Sequence, residues 1–321
     1  MFDSHGRQIT YLRVSVTDRC DLRCSYCAVP GRVLLERRHI LSLEEITRIC
    51  GVFADLGVRK IRITGGEPLV RRGVLTLFQN LAGLNRLDEV TLTTNGTQLG
   101  SFADGLVKAG VRRVNVSLDT LDAARFKAIA GRDVLEQVLN GIAVARQAGL
   151  SVKINMVVMT DTTDGEIDSL IRWCGMGGLD LTLIEVMPMG PAKLPVLSKH
   201  LALRDRLERR WRLTPLCERT GGPARYVRVN ETGGRLGFIT PMSANFCEGC
   251  NRVRLTSDGI LKLCLDRGDS INLRSLLQAG ATDEDLKQVI LSAVEGKPKG
   301  HDFTREPSKV SPQRSMSAIG G

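Results

Sequence analysis

Tyr11-Leu12-Arg13-Val14-Ser15-Val16 alternates apolar and polar side chains, the period-two pattern of a β-strand with two unlike faces. Five more runs carry the same signature, at 60–64, 89–94, 113–118, 151–158 and 180–186. Their apolar positions (Leu12, Val14, Val16; Ile61, Ile63; Val114, Val116, Leu118; Val152, Ile154, Met156) separate cleanly from the polar ones. The polar set is Arg13, Ser15; Arg62, Thr64; Thr91, Thr93, Asn95; Asn115, Ser117, Asp119; and Lys153, Asn155. Helix-length segments lie between the runs, one opened by a capping box at Ser42/Glu45 and another at Thr163/Glu166. Strand and helix in alternation predict an α/β fold, a partial (βα)6 barrel of parallel strands. A doubly wound open sheet is the second arrangement the pattern allows. An antiparallel sheet with one wet face is the third, and the hairpin turns that would join such strands are missing.

The two faces have a chemical consequence. If the apolar set packs under the helices, the polar set lines the interior, where Arg13, Arg62 and Lys153 would be costly to bury without an anion. We therefore expect the interior to be a binding cavity rather than a packed core.

Composition narrows the class further. Of 321 residues, 42% are hydrophobic and 25% charged, as in globular proteins, and no apolar run approaches the roughly 18 residues a spanning helix needs. The first residues lack the apolar stretch of a secretory signal, so we expect a cytoplasmic protein with no membrane partner. A formal charge of +10 points to an anionic partner. Aromatics, at 4%, are too few for a single-strand nucleic-acid binder built on stacking, and no block of five or six basic residues forms a tail for phosphate contacts. A small phosphorylated substrate fits better. Beyond Met187 the pattern changes to a Pro/Gly-rich linker, a charged helix around 204–210, and short strands with glycine turns. This divides the chain into a barrel domain at 1–215, a smaller C-terminal β-containing domain at 216–296, and a tail at 297–321.

Nine cysteines in a reducing compartment point to metal or redox chemistry before disulfides. Cys20, Cys24 and Cys27 form C-x3-C-x2-C directly after the first strand. Three thiolates on a [4Fe-4S] cube leave one iron open to a small molecule. Structural zinc would want a fourth Cys or His close by, and the nearest histidine, His39, lies twelve residues after Cys27. Cys247, Cys250 and Cys264 form C-x2-C-x13-C across an apparent hairpin. Alone, that spacing also fits a zinc ribbon short of one ligand; beside the first triplet it reads as a second cluster with an open iron. Cys50, Cys174 and Cys217 stand singly and read as buried inert thiols.

The cysteine loop with Tyr26 before its third cysteine, followed by Gly65-Gly66-Glu67-Pro68 after the second strand, resembles the radical S-adenosylmethionine (SAM) superfamily. The second triplet precedes and flanks Asn251-Arg252-Val253-Arg254-Leu255-Thr256, and the chain ends in Gly320-Gly321. With these, the whole chain is similar to the GTP 3′,8-cyclase family of molybdenum-cofactor biosynthesis. One position departs: Ala28 stands where the family carries Met. The resemblance implies two [4Fe-4S] clusters, one on Cys20, Cys24 and Cys27, the other on Cys247, Cys250 and Cys264. It implies SAM on the first cluster's open iron, contacted by Tyr26, Gly66, Ser117 and Met187 and split by one electron to a 5′-deoxyadenosyl radical. Gly65 and Gly66, lacking side chains, would let the backbone approach SAM closely. GTP would be held by Arg13, Arg62, Thr93 and Lys153 together with Arg252, Val253 and Arg254, while Gly320 and Gly321 would enter the cavity and support catalysis.

The implied lyase reaction removes hydrogen from the GTP ribose at C3′ and joins that carbon to guanine C8. Its product is (8S)-3′,8-cyclo-7,8-dihydroguanosine 5′-triphosphate. Implied partners are an electron donor such as a flavodoxin/reductase system and the downstream cyclic pyranopterin monophosphate synthase, with the chain a monomer or homodimer and no nucleic acid bound. Two other readings remain open on the residues alone. One is a radical SAM enzyme with an auxiliary cluster that modifies a peptide; the other is a non-catalytic metal protein that binds nucleic acid.

Overall fold

Six parallel strands run side by side in chain order: β1 (Tyr11–Ser15), β2 (Lys60–Thr64), β3 (Glu89–Thr94), β4 (Arg113–Ser117), β5 (Ser151–Val158) and β6 (Asp180–Glu185). The structure is a computed structural model that describes residues 1–27, 31, 33–189, 203–218, 220–266, 270–301 and 303. Ala28, Gly190, Pro191, Gly320 and Gly321 lie outside the described residues, as does most of the expected tail. Helices α1 (Leu43–Asp55), α2 (Val74–Ala82), α3 (Leu99–Lys108), α4 (Ala123–Ala130), α5 (Leu135–Gln147) and α6 (Asp164–Met176) carry the chain from each strand to the next.

Both expected capping boxes form. Ser42 Oγ accepts the Glu45 N–H at 3.0 Å while Glu45 Oε2 accepts the Ser42 N–H at 2.7 Å. Thr163 and Glu166 do the same for α6. Each satisfies N–H groups that a first helical turn leaves open. Ile46, Ile49 and Phe53, spaced along one face of α1, are fully buried in the same core as Leu12, Val14, Ile61 and Ile63. The apolar strand face is thus the helix-covered one, and truncating a residue such as Ile61 to Ala would cost about 2–5 kcal/mol.

Six further strands extend both edges of this sheet: β7 (Leu213–Leu216), β8 (Arg225–Val229), β9 (Arg235–Ile239), β10 (Arg252–Leu255), β11 (Ile260–Lys262) and β12 (Ser270–Asn272). The order is β12-β11-β10-β1-β2-β3-β4-β5-β6-β9-β8-β7. β10 joins β1 and β9 joins β6, both in parallel; the outer pairs are antiparallel. Segments 1–215 and 216–296 therefore share one sheet. It curls strongly: Lys60 Nζ, at the start of β2, donates at 3.0 Å to Thr220 O between β7 and β8, although five strands separate β2 from β8 in the sheet order. The charged helix expected around 204–210 spans Leu203–Glu208. Cys50 and Cys174 are buried as expected, but Cys217 is exposed, because it follows edge strand β7 rather than sitting in a helix. Among the described residues, no helix is long and apolar enough to cross a membrane.

Candidate active site

Parallel register sets three guanidinium groups abreast. Arg13 on β1 stands opposite Arg254 on β10 and Arg62 on β2, and period two turns all three to the same, inner face. One step toward the strand N-termini, Tyr11 stands between Arg252 and Lys60. Arg62 Nε donates to Tyr11 Oη at 2.5 Å and Arg62 Nη1 to Thr93 Oγ1 at 3.2 Å. Burial pushes the Arg13 guanidinium down to about 10, with Arg62 and Arg252 adding to the effect and Tyr11 opposing it. Arg254 is driven well below its ordinary value by burial and then by Arg13 and Arg252. Burial alone would raise the Tyr11 phenol, yet Arg62, Arg13, Lys60 and Arg252 outweigh it and bring the group down to about 7. Like charges crowded together in a poorly solvated interior call for an anion, and guanidinium forks match phosphate oxygens two at a time. Val253, between the two arginines of β10, turns the other way and is 1% exposed in the core, so only its backbone is available to a ligand.

Lys153 faces the same interior from β5. Burial lowers its ammonium to about 7, opposed by Asp180 and reinforced by Arg113, Arg62 and Arg235. Its Nζ donates to Tyr226 Oη on β8, which also bonds Thr220 Oγ1 at 3.0 Å. Tyr226 fits because Gly237 stands opposite it in register: a Cβ there would lie 2.8 Å from Tyr226 Cε1. Two carboxylates share this face and are already paired: Glu89, opposite Lys60, bonds its Nζ at 2.6 Å and Arg113 Nη2 at 2.7 Å, and Asp180, opposite Lys153, pairs with Arg235. Two more are engaged with the rim. Asp119 accepts the Val157 N–H at 2.8 Å and the Tyr26 hydroxyl at 2.9 Å, and Glu185 accepts the Met242 and Ser243 N–H groups at 2.8 and 3.0 Å.

At the C-terminal ends of the strands, the first cysteine loop is held from several sides. Gly66 N–H donates to Thr17 O and Glu67 N–H to Arg19 O, both at 2.8 Å. A Cβ on Gly65 would lie 2.8 Å from Thr17 O and one on Gly66 only 2.3 Å from Arg19 O. The missing side chains thus face the backbone that leads into the loop, a reason for glycine different from the expected room for SAM. Glu67, buried, accepts the Leu69 N–H, the Thr94 hydroxyl and the Asn95 N–H at 3.0, 2.8 and 2.6 Å. Burial raises its carboxyl to about 7 against those bonds. Asp21 in the loop accepts Asn95 Nδ2 at 2.7 Å and the Thr97 hydroxyl at 2.6 Å, while Tyr26 ties the far side of the loop to Asp119 after β4. Ser117, ending β4, and Met187, just past β6, are half-buried on the same rim.

Cys20, Cys24 and Cys27 are electrostatic neighbours. Burial pushes the Cys20 thiol up to about 12, with Glu67, Asp21 and Cys27 adding to it, and Cys24 higher still, with Asp119, Cys27 and Cys20 adding to it. Three thiolates in such a place need cationic metal to form. In the second triplet, burial and then Cys250 and Cys264 raise Cys247; Cys250 itself is brought down to about 7 because Arg252 and Lys297 outweigh its burial. Among the described residues, no three His, Cys, Asp or Glu side chains gather round a point that one ion could occupy. A cube instead takes one thiolate on each of three irons, and an all-sulfur set of three fits that group better than a four-ligand zinc site.

Several functional residues escaped the sequence reading. Tyr11 and Lys60 share the inward periodicity of Arg13 and Arg62, so the alternation could have found them. Tyr226 acts through a partner 73 residues away, and no local signal announces it. Glu67 stood in the Gly65–Pro68 run, but its partners Thr94 and Asn95, 27 and 28 residues on, could not be read from that run.

The model of the Radical SAM superfamily matches residues 14–174, and that of Molybdenum Cofactor Synthesis C matches residues 179–303. The chain is 51% identical over 329 residues to a GTP 3′,8-cyclase of Brucella canis and equally to one of Brucella ovis, covering 100% of this chain and 96% of each relative. Among solved structures, Streptococcus suis SuiB bound to S-adenosylmethionine is similar over 96% of this chain and 76% of that one, with 19% identity and a TM-score of 0.64. SuiB bound to precursor peptide SuiA gives 18% identity and a TM-score of 0.66 over 96% and 75%. At that identity the likeness is one of fold.

Proposed function

Because the chain belongs to the radical SAM superfamily and, within it, to the GTP 3′,8-cyclases, we propose that it converts GTP to 3′,8-cyclo-7,8-dihydro-GTP. This is the first step of molybdenum-cofactor biosynthesis. The single observation that carries the reading from family to site is the row Arg254–Arg13–Arg62 across three adjacent strands. A triphosphate is the kind of ligand that relieves it. Thr93 and Lys153 extend the row along the interior, and Arg252 reaches the same space from β10.

Cys20, Cys24 and Cys27 would hold a [4Fe-4S] cluster, with Tyr26, Gly66, Ser117 and Met187 around SAM. When bound, that pair supplies one-electron chemistry able to take hydrogen from an unactivated carbon. The chain's own part is to fix the loop through Glu67, Asp21 and Asp119, to hold the triphosphate, and to keep water from the reacting carbon. Cys247, Cys250 and Cys264 would hold a second [4Fe-4S] cluster whose open iron takes the guanine. Gly320 and Gly321 are assigned a supporting role at the cavity: glycines thread a narrow space, and deleting them should stop cyclisation while sparing both clusters. A flavodoxin/reductase system as electron donor, cyclic pyranopterin monophosphate synthase as the next enzyme, a monomer or homodimer, and a cytoplasmic setting complete the reading.

Anaerobic incubation with GTP, SAM and reductant tests it. 5′-Deoxyadenosine and cyclised nucleotide should form in step, and Cys24→Ala should abolish both. 5′-Deoxyadenosine formation with no change in GTP would overturn the assignment of substrate.

A further inference from the structure

The sheet only half explains how Cys264 comes to meet Cys247 and Cys250. The β10–β11 hairpin, with Arg254 against Lys262, turns the chain back, but Cys247 and Cys250 lie before β10 and Cys264 lies after β11, all beyond the ladder. The other ties come from two buried cations. Lys297 is 3% exposed, and its Nζ donates to Leu263 O, one residue before Cys264. Arg7 is 8% exposed and donates from Nη1 to Cys247 O and Lys299 O, both at 2.8 Å, and from Nη2 to Pro298 O at 2.7 Å. Its Nε pairs with Asp3 Oδ2 at 2.6 Å, and Asp3 Oδ1 accepts the N–H groups of His5 and Arg7, so the N-terminal turn is closed around the guanidinium. The strap 297–301 therefore crosses the triplet. A Cβ on Gly300 would lie 3.4 Å from Cys247 Cβ and 3.6 Å from its Sγ, and His301 Nε2 lies 2.9 Å from Pro241 O ahead of the first arm.

We infer that Arg7 and Lys297 are the positioning residues of the second cysteine triplet. Arg7, its charge balanced by Asp3, locks the Cys247 arm to the strap; Lys297 locks the Cys264 arm and brings positive charge to a ligand set that is anionic once three thiolates form. The inference rests on the two-cluster reading above. It follows from two physical requirements. A buried anionic group needs paired cations close by. Only a guanidinium fork can serve carbonyls on two chain segments while holding a carboxylate, whereas one carbonyl on one arm suits a compact ammonium.

The test compares reconstituted full-length protein with Lys297→Met, Lys297→Arg and Arg7→Met. Iron and sulfide per chain, the electron paramagnetic resonance of the reduced protein and the second cluster's midpoint potential are read, with SAM cleavage reporting the first cluster. Both Met variants should lose about half of the iron, that of one cube, while SAM cleavage persists. Lys297→Arg should restore the iron and leave a shifted second-cluster potential. Wild-type iron, resonance and potential in both Met variants would overturn the inference alone. Iron for a single cluster in the wild type would instead overturn the two-cluster reading and the inference with it. If the Met variants do not fold, Asp3→Asn decides. It frees Arg7 Nε without touching the carbonyls, and should weaken the second cluster's signal selectively; an unchanged signal counts against the assignment.

Discussion

Arg13 and Arg62 lie opposite one another in parallel strands with their side chains on one face, so their guanidinium stems start a single strand spacing apart, about 4.8 Å. Arg254 flanks Arg13 at the same spacing on its other side. Few folds would tolerate three such neighbours for their own stability. The face is under electrostatic strain when empty and relaxed when a polyanion is bound, which makes ligand affinity and ligand-free stability oppose each other at these positions.

Arg13→Met removes the middle charge. GTP affinity should fall by about 10–100-fold, the range expected for losing charge-assisted bonds worth about 1.5–3 kcal/mol. The ligand-free protein should melt at a higher temperature than the wild type. Calorimetric titration and a thermal melt check both signs. A variant that loses GTP binding and stability together would show that Arg13 is a structural residue.

Lys153 gives the site a pH dependence. Its ordinary value is 10.5, and burial holds it near 7 in the folded ligand-free protein. Between those values the unfolded chain carries a proton that the folded one has released, so this group's contribution makes stability rise with pH across the window. Triphosphate favours the ammonium, so GTP binding at about pH 8 should take up a proton and weaken as pH climbs through the same window. Titrations in two buffers of different ionisation enthalpy measure that uptake. Lys153→Met should remove its share of that uptake, leaving only what the Tyr11 phenol, also near 7 in this row, takes up. A Lys153→Met uptake equal to the wild type's would place Lys153 outside the phosphate site.

The β1–β6 core was legible because most of these strands carry a period of two and the crossovers helix signals; Ser42/Glu45 and Thr163/Glu166 marked helix starts to the residue. The placement of β7 to β12 was not. Whether β10 joins β1 or forms a separate sheet depends on pairings between residues more than 200 positions apart, such as Arg13 with Arg254, and no local pattern encodes them. The same holds for the site. Inward residues of the six strands declared themselves by alternation, whereas Arg7, which reaches Cys247 across 240 residues, reads in the sequence as one more basic residue near the N-terminus. Thr282 and Asp285 cap the helix Asp283–Glu295 as a box whose acid is Asp, outside the usual Glu/Gln signature.

Gly66→Ala should act on the first cluster without touching a ligand. Its Cβ would meet the Arg19 carbonyl oxygen at 2.3 Å, and backbone on both sides cannot yield as a flexible side chain would. Forced displacement of this kind costs about 1–3 kcal/mol. The variant should melt earlier and take up less iron at the first triplet, with SAM cleavage falling in proportion. Mössbauer or resonance spectra that show a full first cluster would mean the loop absorbs the extra methyl.

Tyr226 and Gly237 should fail in the same way, for linked reasons. Tyr226 Oη accepts from Lys153 Nζ and bonds Thr220 Oγ1, so it both aims the ammonium and joins it to the segment that covers the N-terminal end of the interior. Tyr226→Phe keeps the ring, and with it the packing between Lys153 and Arg235, whose charged groups lie 4.6 and 5.1 Å from its centroid. Only the hydroxyl is lost. KM for GTP should rise about 3–10-fold, the scale of about 0.5–1.5 kcal/mol for one hydrogen bond lost while the lysine keeps its charge, with SAM cleavage in the absence of GTP unchanged. Gly237→Ala leaves the hydroxyl in place but puts a Cβ 2.8 Å from Tyr226 Cε1, displacing the ring from beneath Lys153. It should reproduce the KM effect and add a loss of stability that Tyr226→Phe does not show. Combining the two should then cost little more GTP affinity than Gly237→Ala alone, because both act through Lys153. Fully additive losses would show that Gly237 matters for another reason, and that Tyr226 does not position the lysine.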